Sequence, residues 1–98
     1  MEHLLTEAVV DSDIYDLIPG FCESRKKDIQ NLYSLLTSND FNSIVKISHT
    51  IKGIARPYGF PTLEVLIIQL ENAAKKSDRK NCSEILENIS TYFKSYCY

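Results

Sequence analysis

Apolar residues recur at three- and four-residue steps along most of this chain, in four blocks separated by short polar punctuation. The first block runs from Leu17 to Thr37, with Phe21, Ile29, Leu32, Leu35 and Leu36 on its apolar face and Pro19 near its first turn. After TSND the second block begins at Phe41, where Asp40 can cap a helix. GFP, ending at Pro61, separates it from a third block whose stripe is Leu63, Leu66, Ile67, Leu70 and Ala74. KKSDRKN reads as a polar turn. The fourth block is the most regular, with Cys82, Ile85, Leu86, Ile89, Tyr92 or Phe93, and Tyr96 on one face. No alternating strand pattern persists. Short connections between successive amphipathic helices predict antiparallel neighbours, hence an all-α, up-down four-helix bundle. LLTEAVV near the start allows a short extra helix across one end.

Composition narrows the function classes. At 98 residues and 44% hydrophobic, the chain predicts a single domain spanning residues 1–98 with one modest core. A formal charge of -2 gives no basis for nucleic-acid binding. The densest apolar run, Leu63 to Leu70, contains Glu64 and is far too short to insert in a membrane. The acidic start lacks the basic segment of a signal peptide. Cys22, Cys82 and Cys97 are odd in number, far apart and without metal-ligand spacing, which predicts three free thiols and a reduced, cytoplasmic location. The initial Met favours a standalone chain, and a monomer is the expectation for a bundle completed by its own last helix.

One candidate for chemistry stands out in the second block. A helix turns roughly 100° per residue, so with His49 at zero Ile44, Ile47, Ile51, Ile54, Ala55 and Tyr58 fall on the opposite side and form the core stripe. His49 then faces outward with Asn42, Val45, Lys46, Lys52, Gly53 and Arg56. Cations within a turn or two favour a neutral, nucleophilic imidazole near pH 7 and would stabilise a phosphoryl group attached to it. Gly53, in mid-helix, costs about 1 kcal/mol relative to alanine, which a helix tolerates more readily where a partner must come close. Metal binding fits poorly, because the positions one turn from His49 offer no further ligand. Triad or acid–base catalysis lacks a second group on this face, since Ser48 and Thr50 project about 100° to either side. No glycine-rich loop cradles a nucleotide.

HTIKGIARPYGFPTLEVLIIQLENAAKKSD resembles the signature of the histidine-containing phosphotransfer (HPt) domains of phosphorelays. The matching positions are His49, Lys52, Gly53, Gly59 and Leu63, then the pair Leu70 and Glu71. The preceding LIPGFCESRKKDIQNLYSLLTSNDFNSIVKISHTIKG is also similar to that family. The resemblance implies a phosphorelay intermediate: His49 accepts a phosphoryl group on Nε2 from a receiver-domain aspartate and passes it to another receiver. It implies that Lys52 stabilises the added charge, that Gly53 leaves room for the partner, and that Mg²⁺ belongs to the receiver. The domain is then a phosphoryl carrier without a cofactor of its own, and its partners are receiver domains of response regulators or of a hybrid sensor kinase.

Two departures and one alternative accompany this reading. Arg56 joins the histidine face where the family tends to small residues, and is a candidate phosphate or receiver contact. Pro57 removes an N–H and presses on the Gly53 carbonyl, so the helix is expected to kink or end near Arg56 to Pro57. Val45 and Lys46 on the histidine face, and Arg25 of the charged run Glu23 to Asp28, are candidate docking residues; His3 is given no role. The competing class is a receiver-binding or dimerisation module that never carries phosphate, for which the combination of His49, Lys52 and Gly53 would be unnecessary.

Overall fold

Each of the four apolar stripes becomes a helix in the computed structural model, which describes residues 6–97. Its elements are α1 (Ser12–Tyr15), α2 (Ile18–Thr37), α3 (Phe41–Ala55), α4 (Pro61–Lys75) and α5 (Arg79–Cys97), with no strand among the described residues. α2 packs on α3, α3 on α4, α4 on α5, and α5 closes the ring against α2. Arg79, at the start of α5, donates to the Leu36 carbonyl and to Asn39 Oδ1 (2.7 Å) beyond the end of α2, whereas Cys97 at the other end of α5 meets Cys22 near the start of α2. These two helices therefore run antiparallel. The pairs Arg56–Glu64 and Lys52–Glu71 likewise step outward from the α3–α4 connection, so α3 and α4 are antiparallel too.

The core is a cluster from all four long helices, including Ile18, Leu32, Ile44, Ile67, Leu86 and Phe93. Its aromatic end forms around Phe60, which is fully buried between α3 and α4. The Phe60 ring stacks on Phe21 at 5.3 Å and meets Tyr92, Phe93 and Tyr96 of α5 at tilted or edge-on angles. Removing such a ring typically costs about 3–5 kcal/mol.

Three helices stop by the same device. A residue in the left-handed region follows the last turn, its N–H returns to the carbonyl three residues back, and the next N–H reaches five residues back. Asn39 (φ 56°) does this after α2, with Asp40 N–H on Leu35 O. Gly59 (φ 93°) does it after α3, with Phe60 N–H on Ala55 O, and Ser77 (φ 53°) after α4, with Asp78 N–H on Ala73 O. α3 itself ends at Ala55 with Arg56 as its C-cap, in line with the break expected at Pro57. The next helix starts are also marked: Asp40 accepts from Ser43 N–H, and Asp78 from Asn81 N–H.

Only one of those three stops requires glycine for want of space. A Cβ on Gly59 would lie 2.8 Å from Val10 Cγ1 and 2.9 Å from Thr6 Cβ. The segment Thr6 to Val10 lies over this turn, with the Glu7 and Ala8 N–H groups both donating to Gly59 O. From there Glu7 accepts from the Thr62 N–H (2.8 Å), the Thr62 hydroxyl and the Tyr92 hydroxyl (2.7 Å). A carboxylate from the N-terminal segment thus serves the first turn of α4, where Phe60 at the N-cap has no side-chain oxygen to offer.

Three expectations need correcting. The extra helix is not in LLTEAVV: Thr6 to Val10 is non-helical, the four-residue α1 comes later, and Leu4, Leu5 and His3 lie outside the described residues. KKSDRKN is not wholly a turn, because Asp78 caps a helix that already includes Arg79 to Asn81. Nor are there three free thiols. Cys22 and Cys97 form a disulfide with a Cα–Cα distance of 5.4 Å, and only Cys82 is free, fully buried in the core. Separation along the chain concealed the pair: antiparallel α2 and α5 bring residues 75 apart to the same end. With two of the three cysteines paired, cysteine usage no longer speaks for a reduced compartment.

Two outcomes follow for stability. Gly59→Ala should cost about 2 kcal/mol or more, since it adds left-handed strain to a steric clash, whereas Ser77→Gly relieves strain at an exposed turn and should gain about 0.5–1 kcal/mol. Denaturant titration of the two variants checks this, and equal effects of the same sign would refute it. Reductant should lower the wild-type melting midpoint by an amount equivalent to about 2–4 kcal/mol and leave Cys22→Ser/Cys97→Ser unmoved.

Candidate functional site

Polar residues inside an otherwise apolar helical period locate the site. In α4 the core positions Ile67, Leu70 and Ala74 surround Glu71, a carboxylate that is itself buried. In α3 the buried set is Ile44, Ser48, Ile51 and Ala55. Relative to the stripe expected from sequence, the core edge has turned toward α4. Ser48 is fully buried, while Ile47, Ile54 and Tyr58 are only partly buried against the cluster. The physical reason lies in the neighbours: α3 makes its most extensive contact with α4, and two of the four residues that α3 buries, Ser48 and Ala55, are small. Close packing of these helices costs Ser48 its partner, since its buried hydroxyl makes no hydrogen bond.

His49, next to Ser48, is turned outward, with 71% of its side chain exposed. Its Nδ1 lies 3.4 Å from Glu71 Oε2. The other carboxylate oxygen, Oε1, accepts a hydrogen bond from Lys52 Nζ at 3.0 Å, and Lys75 Nζ approaches Oε2 at 3.8 Å. Glu71 is held below the ordinary carboxylate value of 4.5, chiefly by the Lys52 hydrogen bond; burial opposes this, and the charges of Lys52 and Lys75 and the His49 contact add to it. A ring nitrogen facing an ionised carboxylate carries a proton, so in the neutral ring it is Nε2 that keeps the lone pair, on the side away from Glu71. This is the nucleophilic tautomer for a group arriving from outside.

The remaining sequence candidates separate. Gly53 is exposed, and a Cβ built there meets nothing within 4 Å, so the surface beside His49 is open. Lys46 is exposed on the opposite side of His49 from Lys52, toward α2. Arg56 does not join the histidine; it is paired with Glu64 of α4 at 2.8 Å. Arg25 lies over the Phe21 ring at 4.9 Å and donates to Asp28 Oδ2 at 2.8 Å, lining the groove between α2 and α3. Val45, by its helical position a docking contact outside the core, is instead partly buried and packs against the core. Two of the cations on the histidine face, Lys52 and Arg56, are therefore answered by carboxylates of α4.

Glu71 is the partner of His49 and Lys52 that the helical wheel of α3 does not reveal. A second group sought on the helix bearing His49 is not there, because the carboxylate comes from the neighbouring helix. The signal was present in α4: a glutamate at a core-edge position of a regular apolar stripe needs a buried partner.

Acid should act on this contact with a defined sign. A depressed folded-state pKa contributes stability that is complete above the ordinary value of 4.5 and is lost as pH falls through the lower folded value. Glu7 is also held low, against its desolvation, by the Thr62 and Tyr92 hydrogen bonds and the Arg56 charge, so it titrates over the same window. The difference between wild type and Glu71→Gln isolates Glu71. The variant should be about 1 kcal/mol less stable at pH 7, a modest figure because Lys52 is one-third exposed, and the gap should close below pH 4.5. A gap independent of pH would refute the assignment.

Comparison with known families gives one match. The family model described as Hpt domain matches residues 16–95, a span that takes in α2 to α4 and all but the last two residues of α5. No curated protein and no solved structure matches the chain. Membership in the family carries a phosphotransfer role in two-component signalling and interaction with receiver domains. No helix among the described residues is long and apolar enough to cross a membrane. An outward histidine backed by a buried carboxylate on a helical bundle is thus matched by family over most of its length: the chain belongs to the Hpt domain family.

Proposed function

We propose that this chain is a phosphorelay intermediate in which His49 is the phosphoacceptor. It takes a phosphoryl group from the phospho-aspartate of one receiver domain and returns it to the aspartate of another. The observation that carries the reading is the contact of His49 Nδ1 with the buried Glu71 carboxylate, which leaves Nε2 free on an exposed ring.

The chemistry follows from that tautomer. The Nε2 lone pair attacks phosphorus, a P–N bond forms, the P–O bond to the aspartyl carboxylate breaks, and its electrons leave with the carboxylate. The Nδ1 proton stays, so the ring becomes cationic beside Glu71, whose negative charge stabilises it. Lys52, one turn along on the same face, can turn toward the new phosphoryl oxygens. Gly53 leaves a flat approach for the receiver. Mg²⁺ belongs to the receiver's side of the exchange and neutralises phosphoryl charge there; residues of this chain supply the acceptor, its orientation and one cation. Hpt domains are phosphocarriers rather than enzymes with nucleotide sites, and this chain acts in that way in the present reading. Docking residues include Lys46, with Val45 and Arg25 contributing through packing rather than as free contacts. The carrier is taken to be a monomer; Hpt domains are typically cytoplasmic, while the Cys22–Cys97 pair of this chain does not itself argue for a reduced compartment.

The test is phosphoryl transfer from a panel of phosphorylated receiver domains. Wild type should take up an acid-labile, base-stable label and His49→Gln should take up none. Gly53→Ala separates packing from partner access: it should be about 1 kcal/mol more stable, because alanine is the better helix former and has space, yet transfer more slowly. Receiver binding without any label would replace the carrier by the non-phosphorylated docking module.

A further inference from the structure

Phosphorylation of His49 changes what the buried Glu71 carboxylate can rely on. In the unphosphorylated chain its Oε1 is taken by Lys52 at 3.0 Å, and its Oε2 is shared by His49 at 3.4 Å and Lys75 at 3.8 Å. The Glu71 side chain is only 5% exposed, so it needs a close counter-charge. A phosphoryl group on Nε2 brings a dianion within reach of Lys52, which sits three residues from His49 on the same helix face. An ammonium drawn to the dianion leaves Oε1.

We propose that Lys75 is the reserve counter-ion of Glu71: it holds the carboxylate when Lys52 turns to the phosphoryl group, and thereby keeps the His49 ring oriented through the transfer. The inference rests on the phosphocarrier reading above. Lys75 is suited to this by position. It lies four residues after Glu71 on α4, the favourable order for a glutamate–lysine pair, and within reach of the oxygen that faces His49. Its side chain is 58% exposed, so closing from 3.8 Å to hydrogen-bond distance displaces no packed neighbour. It also lies in the last turn of α4, where a cation is favoured by the helix dipole alone. That bland role would make Lys75 indifferent to Lys52. The reserve role makes the two lysines interdependent.

Lys75 is in this account a positioning residue, and it touches no reacting atom. In the forward step the Nε2–P bond forms, the aspartyl O–P bond breaks and the Nδ1 proton is retained. Glu71 then faces a cationic ring on one oxygen and, with Lys52 gone, only Lys75 balances it further. The reverse step to a second receiver restores Lys52 to Oε1.

A stability cycle tests the exchange without any phosphate. Lys75→Met in the wild-type background should change the folding constant less than about threefold, because Lys52 still holds Glu71. In the Lys52→Ala background the same change should cost about tenfold or more, and in the Glu71→Gln background it should have no effect beyond the dipole contribution. If the two effects are instead additive, Lys75 is only a helix-end cation and the proposal fails. Where the double variant is too unstable to titrate, Lys52→Met, which keeps the packing of the lysine stem, takes the place of Lys52→Ala in the cycle. Transfer from a phosphorylated receiver supplies the second readout: Lys75→Met should slow it several-fold, and Lys75→Arg should restore it. Coupled stabilities with unchanged transfer would overturn the role in the reaction. Absence of label on wild type, with coupling intact, would instead overturn the carrier reading and leave only the Glu71 pairing.

Discussion

A carboxylate buried between two helices organises the surroundings of His49. Glu71 projects from the apolar stripe of α4 into the α3 interface, where burial would favour its neutral acid. Lys52 reverses that preference by a direct hydrogen bond and holds the group ionised. Everything needed at His49 then follows from a charge located on the inner side of the ring. The neutral imidazole favours one tautomer, its Nε2 is left on the exposed side of the ring, and in the proposed transfer positive charge developing there has a partner already in place. Removing the carboxylate would leave the same histidine on the same exposed face, with no reason to prefer one nitrogen over the other.

The helices were legible because their periodicity is regular and their ends carry polar caps. Asp40 and the stripes of α4 and α5 led to the elements that form. What could not be read depended on which neighbour each helix acquires. The core edge of α3 turned toward α4, so Ser48 went inside and Ile47, Ile54 and Tyr58 came partly out, a rotation that a helical wheel drawn for one segment does not contain. Val45 moved from candidate contact to partial core for the same reason. Arg56 and Lys52 looked like free cations beside His49 because their carboxylates, Glu64 and Glu71, belong to the next helix. The Cys22–Cys97 pair is the extreme case, since only the closed ring of helices brings those residues together.

The three left-handed stops distinguish local from tertiary demands on the chain. Asn39 and Ser77 satisfy the geometry with side chains of their own, so the turn alone tolerates a Cβ at some strain. Gly59 answers a second demand, because the segment Thr6 to Val10 lies directly on it. The cap that Glu7 provides for α4 depends on that close approach, and so does the hydrogen bond to Tyr92. A conformational requirement at one residue thereby couples the start of the chain to the helix that carries Glu71.

That coupling has a topological consequence. Glu7 bonds to Tyr92 and Cys97 is bonded to Cys22, so the first and last described segments come together at the same end of the bundle as the α3–α4 turn. His49 lies further along α3, ten residues before Gly59 and nearly three helical turns from that end. The two outer described segments, around Glu7 and Cys97, therefore share one pole of the bundle, away from the flank bearing His49. The bundle has the geometry of a plug-in module, with its outer segments paired at one pole and the exposed His49 on a flank away from it.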